Sequence, residues 1–255
     1  MGDDVVLVNG RIWTGRGEVS AVGIRDGRVA AAGESGEVRD RLGNDSTVVD
    51  VEGRRVIPGL IDSHIHVVRA GLTWNQTVRW DDIADLETGL GRVREAAGSA
   101  PPGTWIRVLG GWHPGMLAEG RGPTRRELDK AGGDHPVYVQ LLYEEGVLNG
   151  KGLKRLQGSG WDQGLDLDDR GEATGRISGA PAFRAVLSLF EEPSLDESIE
   201  GTEALMSDLL SHGVTGVVDP GGFGMTPQSY DALFRLWRNE KLPLRVRCGP
   251  SHGGQ

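Results

Sequence analysis

The sequence predicts a mixed α/β protein: an all-β antiparallel module over residues 1–55, then a βα series over residues 56–255 with an insertion around 144–192. Three observations carry this prediction. Short apolar runs near the N-terminus are separated by Asn9-Gly10, Asp26-Gly27 and Glu52-Gly53. From Pro58 onward, apolar strands alternate with amphipathic helices. Several of the 41 glycines fall directly after those strands, as expected where a sheet hands over to functional loops.

The elements follow in order. VVLVNGRIW and AVGIRDGRVAAAG each contain an Asx-Gly pair that suits a type I′ turn, whose two central residues need positive φ, so both predict hairpins. Val48 to Val51 and Glu52-Gly53 form a third unit. RVIPGLIDSHIHVV, Arg55 to Val68, reads as a strand whose even positions Asp62, His64 and His66 share one face. Asp85 caps a helix carrying Leu86, Leu90, Val93 and Ala97 on one stripe. The strand Trp105 to Leu109 ends in GGWHPG, Thr124 and Glu127 form a capping box, and Val137 to Tyr143 is the next strand. The insertion holds a helix around Leu153, a Gly- and Asp-rich loop over 158–175 and a helix from Pro181 to Phe190. Ser194 and Glu197 then cap a helix with a stripe of Leu195, Ile199, Met206, Leu209 and Leu210, closed by Gly213. Val214 to Val218 is a strand ending at Asp219, Thr226-Pro227 start a helix with Tyr230, Leu233, Phe234 and Trp237, and Leu244 to Cys248 is the last strand. Such a series predicts a mostly parallel sheet.

Composition excludes several classes. The formal charge of -9, from 37 acidic and 28 basic side chains, leaves no concentrated basic patch for nucleic-acid phosphates. The N-terminus reads MGDDVVLVNG, acidic where a secretory signal is basic, and no stretch approaches the roughly 20 apolar residues of a membrane helix. A cytoplasmic location without a membrane partner is therefore expected. Cys248, the single cysteine, excludes an intramolecular disulfide and reads as a buried or partly buried structural residue.

The sharpest chemical signal is His64-Ile65-His66 at the end of an apolar strand. Imidazoles two residues apart on a strand project to one side, where both can reach one ion at about 2.0 to 2.1 Å. Asp62, on the same face, either supports such a ligand or holds backbone amides. Trp112 and His113 lie in a glycine-rich loop after a strand, suited to lining a substrate pocket or to ordinary surface packing. Asp219, at a strand end before Pro-Gly-Gly, occupies a position that barrel enzymes use for function and that also suits a residue fixing the turn. GGFG after Asp219 lacks both the full dinucleotide fingerprint and the Walker lysine, which excludes a phosphate loop. His135 and His212 read as structural, and His252 falls in the terminal segment.

VIPGLIDSHIHVVRAG, following a module that ends VVDVEGRR, resembles the amidohydrolase superfamily. TWIRVLGGWHPG, PTRRELDKAGGDHPVYVQ, VLNGKGL and LLSHGVTGVVDPGG resemble amidohydrolase family 3, the branch that includes N-substituted formamide deformylases, and the likeness runs from Asp4 to about Arg247. The resemblance implies an incomplete TIM-type (β/α) barrel of a metal-dependent hydrolase, flanked by a β-sandwich built partly from residues 1–55. It implies a divalent metal, zinc, held by His64 and His66, and hydrolysis of a non-peptide C–N bond in a small amide-type substrate. The metal would polarise the carbonyl and lower the pKa of a bound water toward about 7. Many relatives carry a histidine a few residues before the asparagine matched by Asn149; Glu144 stands near that position and is a substrate-pocket candidate. The chain ends after about five candidate barrel strands, where closure takes eight, so no general base is assigned and C-terminal truncation is expected. Open strand edges then favour a homo-oligomer or a complementing chain, and the rival reading is a non-catalytic protein that keeps the fold.

Overall fold

A computed structural model of the chain describes residues 4–141, 145–161, 163–222 and 225–249. Its strands and helices, in chain order, are β1 Val5–Val8, β2 Arg11–Trp13, β3 Glu18–Val19, β4 Ala21–Arg25, β5 Arg28–Gly33, α1 Ser35–Leu42, β6 Thr47–Asp50, β7 Arg55–Val56 and β8 Leu60–Asp62. There follow α2 Val67–Leu72, α3 Leu86–Ser99, β9 Ile106–Leu109, α4 Arg125–Gly132, β10 Val137–Leu141, β11 Glu145–Leu148, α5 Gly150–Gly158, β12 Leu165–Leu167, β13 Ala173–Ser178 and α6 Ala180–Leu187. The last are α7 Leu195–Ser211, β14 Val214–Asp219, α8 Asp231–Arg238 and β15 Arg245–Cys248. They form two compact units, one of Met1–Ser63, Leu209–Val218 and Leu244–Arg247, the other of His64–Asp208, Asp219–Pro243 and Cys248–Gln255.

In the first unit, β5-β4-β1-β6 form one sheet and β3-β2-β7 another. Asp26 and Gly27 adopt φ of 50° and 69° and join β4 to β5 as the expected hairpin. Asn9-Gly10 does not. β1 and β2 belong to different sheets, and β1 pairs parallel with β6, β2 parallel with β7. An Asx-Gly pair specifies only a local backbone bend; here the strand partner comes from far along the chain, with Val51 N–H donating to the Val8 carbonyl and Gly53 N–H to that of Asn9. The all-β antiparallel expectation for residues 1–55 also fails at α1. Val38 and Leu42, one helical turn apart, bury into the space left by Gly23, where a Cβ would lie 2.2 Å from Leu42 Cδ2. With Val6, Val8, Ala21 and Ala31 they make this unit's core.

The single strand expected from Arg55 to Val68 is broken. β7 ends at Val56 in one sheet, β8 spans only Leu60–Asp62 in another, and a helix begins at Val67. Pro58 has no N–H to extend a ladder, which accounts for the interruption. β8 pairs parallel with β14, placing Val217 opposite Asp62, in a sheet ordered β15-β14-β8. Edge strand β8 exposes Leu60 and Ile61. β15 is not apolar on both faces: it alternates Arg245 and Arg247 toward solvent, a charge pattern that blunts an edge. Cys248 is exposed, contrary to the sequence reading.

In the second unit one sheet runs β12-β13-β11-β10-β9, and only β9 and β10 are parallel. The other pairs are antiparallel, so this sheet is mixed and the segment 158–175 is not a loop. Leu165 and Leu167, then Ala173, Gly175 and Ile177, alternate with period two on either side of a turn in which Asp168 accepts the N–H groups of Arg170 and Glu172. One face packs Ile106, Val108, Val137 and Val139 against Leu90, Val93 and Leu128 of α3 and α4. The other packs Trp105, Tyr138 and Leu148 against Leu153, Leu156 and Val186 of α5 and α6. On α7 the buried face is Ser198, Gly201, Thr202, Leu205 and Met206; Leu195 and Leu210 of the expected stripe are exposed. Close helix approach selects those small residues: a Cβ on Gly201 would sit 2.3 Å from the Gly71 carbonyl oxygen of α2. On α8, Leu233 is buried as expected, whereas Phe234 and Trp237 face solvent.

The expected caps form. Asp85 accepts the Thr88 N–H, and Thr124 with Glu127 makes a reciprocal box. The Arg121 guanidinium, together with the Thr124 donors, holds the Glu127 carboxyl at about 2, against an ordinary value of 4.5. A depressed carboxylate stabilises the fold above its ordinary value and loses that contribution as pH falls through the folded one. Glu127→Gln should therefore be less stable at neutral pH, by less than about 1 kcal/mol because the pair is solvent-screened. The gap should close between about 4.5 and 2. Urea midpoints of both proteins across that range test this; a gap unchanged at the acid end rules the pairing out as the cause.

Candidate functional site

His64 and His66 lie on the bend between β8 and α2, not on a strand as their spacing suggests. Their rings nonetheless meet edge to face, with centroids 5.4 Å apart and planes at 85°. His66 occupies the N-cap position of α2, and its Nδ1 lies 2.6 Å from the Gly221 carbonyl oxygen. A carbonyl can only accept, so Nδ1 carries the proton and a neutral ring keeps the lone pair on Nε2. This is the tautomer a metal-ligating histidine needs, with the second nitrogen held by a backbone oxygen.

Asp219 organises that carbonyl. It is 2% exposed, and both carboxylate oxygens are committed to backbone: Oδ2 accepts the Val68 N–H and Oδ1 the Gly221 N–H, each at 2.8 Å. Val68 is in the first turn of α2, where a negative charge is favoured by the unpaired N–H groups. Gly221 takes φ of 83°, which only glycine adopts without strain, and so turns its N–H toward Asp219 and its carbonyl toward His66. A buried aspartate thus sets the loop, the loop sets the imidazole, and the turn-fixing role considered for Asp219 is the one its contacts display. Nothing in the local sequence announces the Gly221 carbonyl as a partner, beyond a glycine two residues after a strand-terminal aspartate.

The remaining candidates are dispersed. Trp112 is buried in the loop that follows β9, donating from Nε1 to the Gln140 carbonyl at 2.9 Å and meeting Trp80 edge to face. It also lines a cavity of 570 Å³ shared with Pro114, Arg125, Leu141, Glu145 and Arg176. His113 is exposed and accepts the Gly115 N–H on Nδ1, capping a short turn. Asp62 ends β8 opposite Val217. Glu144 and His252 lie outside the described residues. His135 is buried, its Nδ1 donating to the Thr104 carbonyl, a structural role as expected. Among the described residues no group of three or more His, Cys, Asp or Glu side chains is gathered to hold a metal, so His64 and His66 fit a metal by donor type, and His66 by tautomer as well, but supply two ligands. Among the same residues no helix is long and apolar enough to cross a membrane.

Reactive side chains just beyond the carboxyl ends of neighbouring parallel strands are the layout of α/β enzymes that build their sites on strand-end loops. An amidohydrolase family model matches residues 47–255, and the chain belongs to that family. It is 29% identical over 265 residues to the N-substituted formamide deformylase of Arthrobacter pascens, covering 98% of this chain and 48% of that protein. It is 28% identical to Protein LONG AFTER FAR-RED 3 of Arabidopsis thaliana, covering 86% of this chain and 39% of the other. The crystal structure of an uncharacterized metal-dependent hydrolase from Pyrococcus furiosus superposes with a TM-score of 0.62 at 26% identity, over 96% of this chain and 49% of that one. Its counterpart from Pyrococcus horikoshii gives 0.63 at 25% identity, over 96% and 48%. The chain thus spans about half the length, or less, of the relatives it matches.

Proposed function

We propose that this chain carries the metal-ligand region of a hydrolase that cleaves non-peptide C–N bonds of small amide-type molecules. The observation that carries the reading is the His66 Nδ1 contact with the Gly221 carbonyl, which leaves Nε2 as the ring's metal-facing atom beside His64. In this reading β8, β9, β10, β14 and β15 are strands of a TIM-type barrel, β1–β7 are part of a β-sandwich, and the protein works in the cytoplasm. His64 and His66 hold the metal, zinc by preference for imidazole at about 2.0 to 2.1 Å. When bound, the metal supplies Lewis acidity toward the amide carbonyl. Asp219 and Gly221 hold His66 in the ligating tautomer, and Trp112 forms part of the wall against which a substrate rests. The donor set of two histidines also supports a second reading, in which the site is completed by residues outside those described or by a separate complementing chain, because catalytic zinc usually takes three protein ligands.

N-substituted formamides and related amides, offered to the zinc-loaded chain, test this reading. Turnover lost on chelation and regained with zinc is the expected result. Turnover indifferent to chelation refutes a metal-dependent site. No turnover at one equivalent of tightly bound zinc refutes self-sufficiency and leaves the complemented site.

A further inference from the structure

The face of β9 and β10 that meets α5 and α6 carries a set of polar groups with no role in the site above. Arg107 is 8% exposed, and among the described residues its guanidinium makes one hydrogen bond, from Nη2 to Gln76 Oε1 at 2.6 Å. Among the described residues its Nε is buried without a partner, and so is the indole Nε1 of Trp105 two residues earlier. Tyr138, opposite Arg107 on β10, likewise has a buried hydroxyl with no partner among the described residues. A buried guanidinium with no carboxylate in contact among the described residues is costly, since desolvation of the charge is not offset by a paired anion; burial accordingly pushes the Arg107 pKa down, with the charge of Glu191 opposing in part.

One side chain covers all three groups. The Phe190 ring lies 5.0 Å from Arg107 Cζ, 5.1 Å from the Trp105 ring and 6.0 Å from the Tyr138 ring. Phe190 is only partly buried, just past the end of α6, and it lines a cavity of 790 Å³ together with Gln76, Trp105, Arg107 and Arg155. Arg155 stacks over Trp105 and adds a second positive charge to the wall. Glu191, Glu192 and Glu197 line the same cavity. Three carboxylates against two guanidiniums leave the wall net negative, which opposes a dianion more than a monoanion, so the attraction for an acceptor rests on the N–H groups without a partner among the described residues.

We propose that this cavity is a binding site for the carboxylate of a small monoanionic organic acid, which reaches Arg107 and Trp105 when the Phe190 ring swings aside. An arginine and a second N–H donor suit a planar carboxylate, and a charge-assisted hydrogen bond recovers part of the desolvation that Arg107 now carries uncompensated. None of the histidines, Trp112 or Asp219 lines it, so the site stands apart from the candidate metal ligands. Should the chain hydrolyse amides, the acid released would have the chemistry the cavity takes, but the binding claim does not depend on that activity.

Thermal denaturation of the intact chain, titrated with formate or acetate at constant ionic strength in chloride, tests the site. A saturable rise in Tm of about 3 to 6 °C at ten times the dissociation constant is expected. Arg107→Gln should abolish the rise, and Trp105→Phe, a milder change that keeps the ring, should weaken it several-fold. Phe190→Ala should strengthen binding, because the cover is gone. The increment with anion is the quantity compared, so a lower starting Tm in a variant does not confuse the outcome. No rise in the parent, a rise that survives Arg107→Gln, or a larger rise with inorganic phosphate each overturns the proposal. A rise that appears only in Glu191→Gln does so too, and identifies Glu191 as the internal anion.

Discussion

Replacing His64 and His66 together with alanine is expected to abolish metal retention. The parent, loaded with zinc and dialysed, should keep about one equivalent, and the double variant should bind at least about 100-fold more weakly, since even a residue that merely orients a ligand costs 10- to 100-fold when removed. The two rings meet at 5.4 Å, and His66 is locked by the Gly221 carbonyl, so little reorganisation is needed to present both to one ion. Atomic absorption on parent and variant decides the matter, and equal metal content removes the histidines from the site.

The second large effect concerns Asp219. Its carboxylate satisfies two buried N–H groups, those of Val68 and Gly221, and alanine leaves both without an acceptor. At about 1 to 3 kcal/mol for each orphaned donor, Asp219→Ala should destabilise the protein by about 2 to 6 kcal/mol. Asn, which keeps one acceptor oxygen, should cost roughly half as much. Loss of the loop also frees the His66 ring, so zinc affinity should fall by about 10- to 100-fold in Asp219→Ala. Urea unfolding and zinc competition on the same preparations measure the two effects. A midpoint unchanged from the parent, or full zinc affinity in a destabilised variant, would falsify the chain of contacts from Asp219 through Gly221 to His66.

Features of the sequence that act within a few residues were legible. Asp85 and the pair Thr124 and Glu127 start helices where their caps demand, because an N-cap needs only its own side chain and the next turn. Asp26-Gly27 makes its hairpin, since both residues take the left-handed φ that the dipeptide tolerates. The α3 stripe of Leu86, Leu90 and Val93 is buried as its spacing requires.

Misreadings arose where a partner distant in the chain overrules the local signal. Asn9-Gly10 bends the backbone but hands β1 to β6 and β2 to β7, a parallel pairing that no turn dipeptide encodes. The helix Ser35–Leu42 depends on the hollow at Gly23, and the packed face of α7 on the bare backbone at Gly71, neither visible in the helices' own residues. Segment 158–175 looks like a loop because its strands are short and its turns rich in Asp and Gly; it becomes β12 and β13 only because β11 offers an edge.

The candidate site divides along the same line. The residue types that can ligate a metal, His64 and His66, and their neighbourhood in the chain were determined by the sequence alone, since donor chemistry belongs to the side chain. How the rings are oriented, which nitrogen carries the proton, and that Asp219 works through Gly221 were decided by tertiary structure, because these follow from hydrogen bonds spanning about 150 residues of sequence.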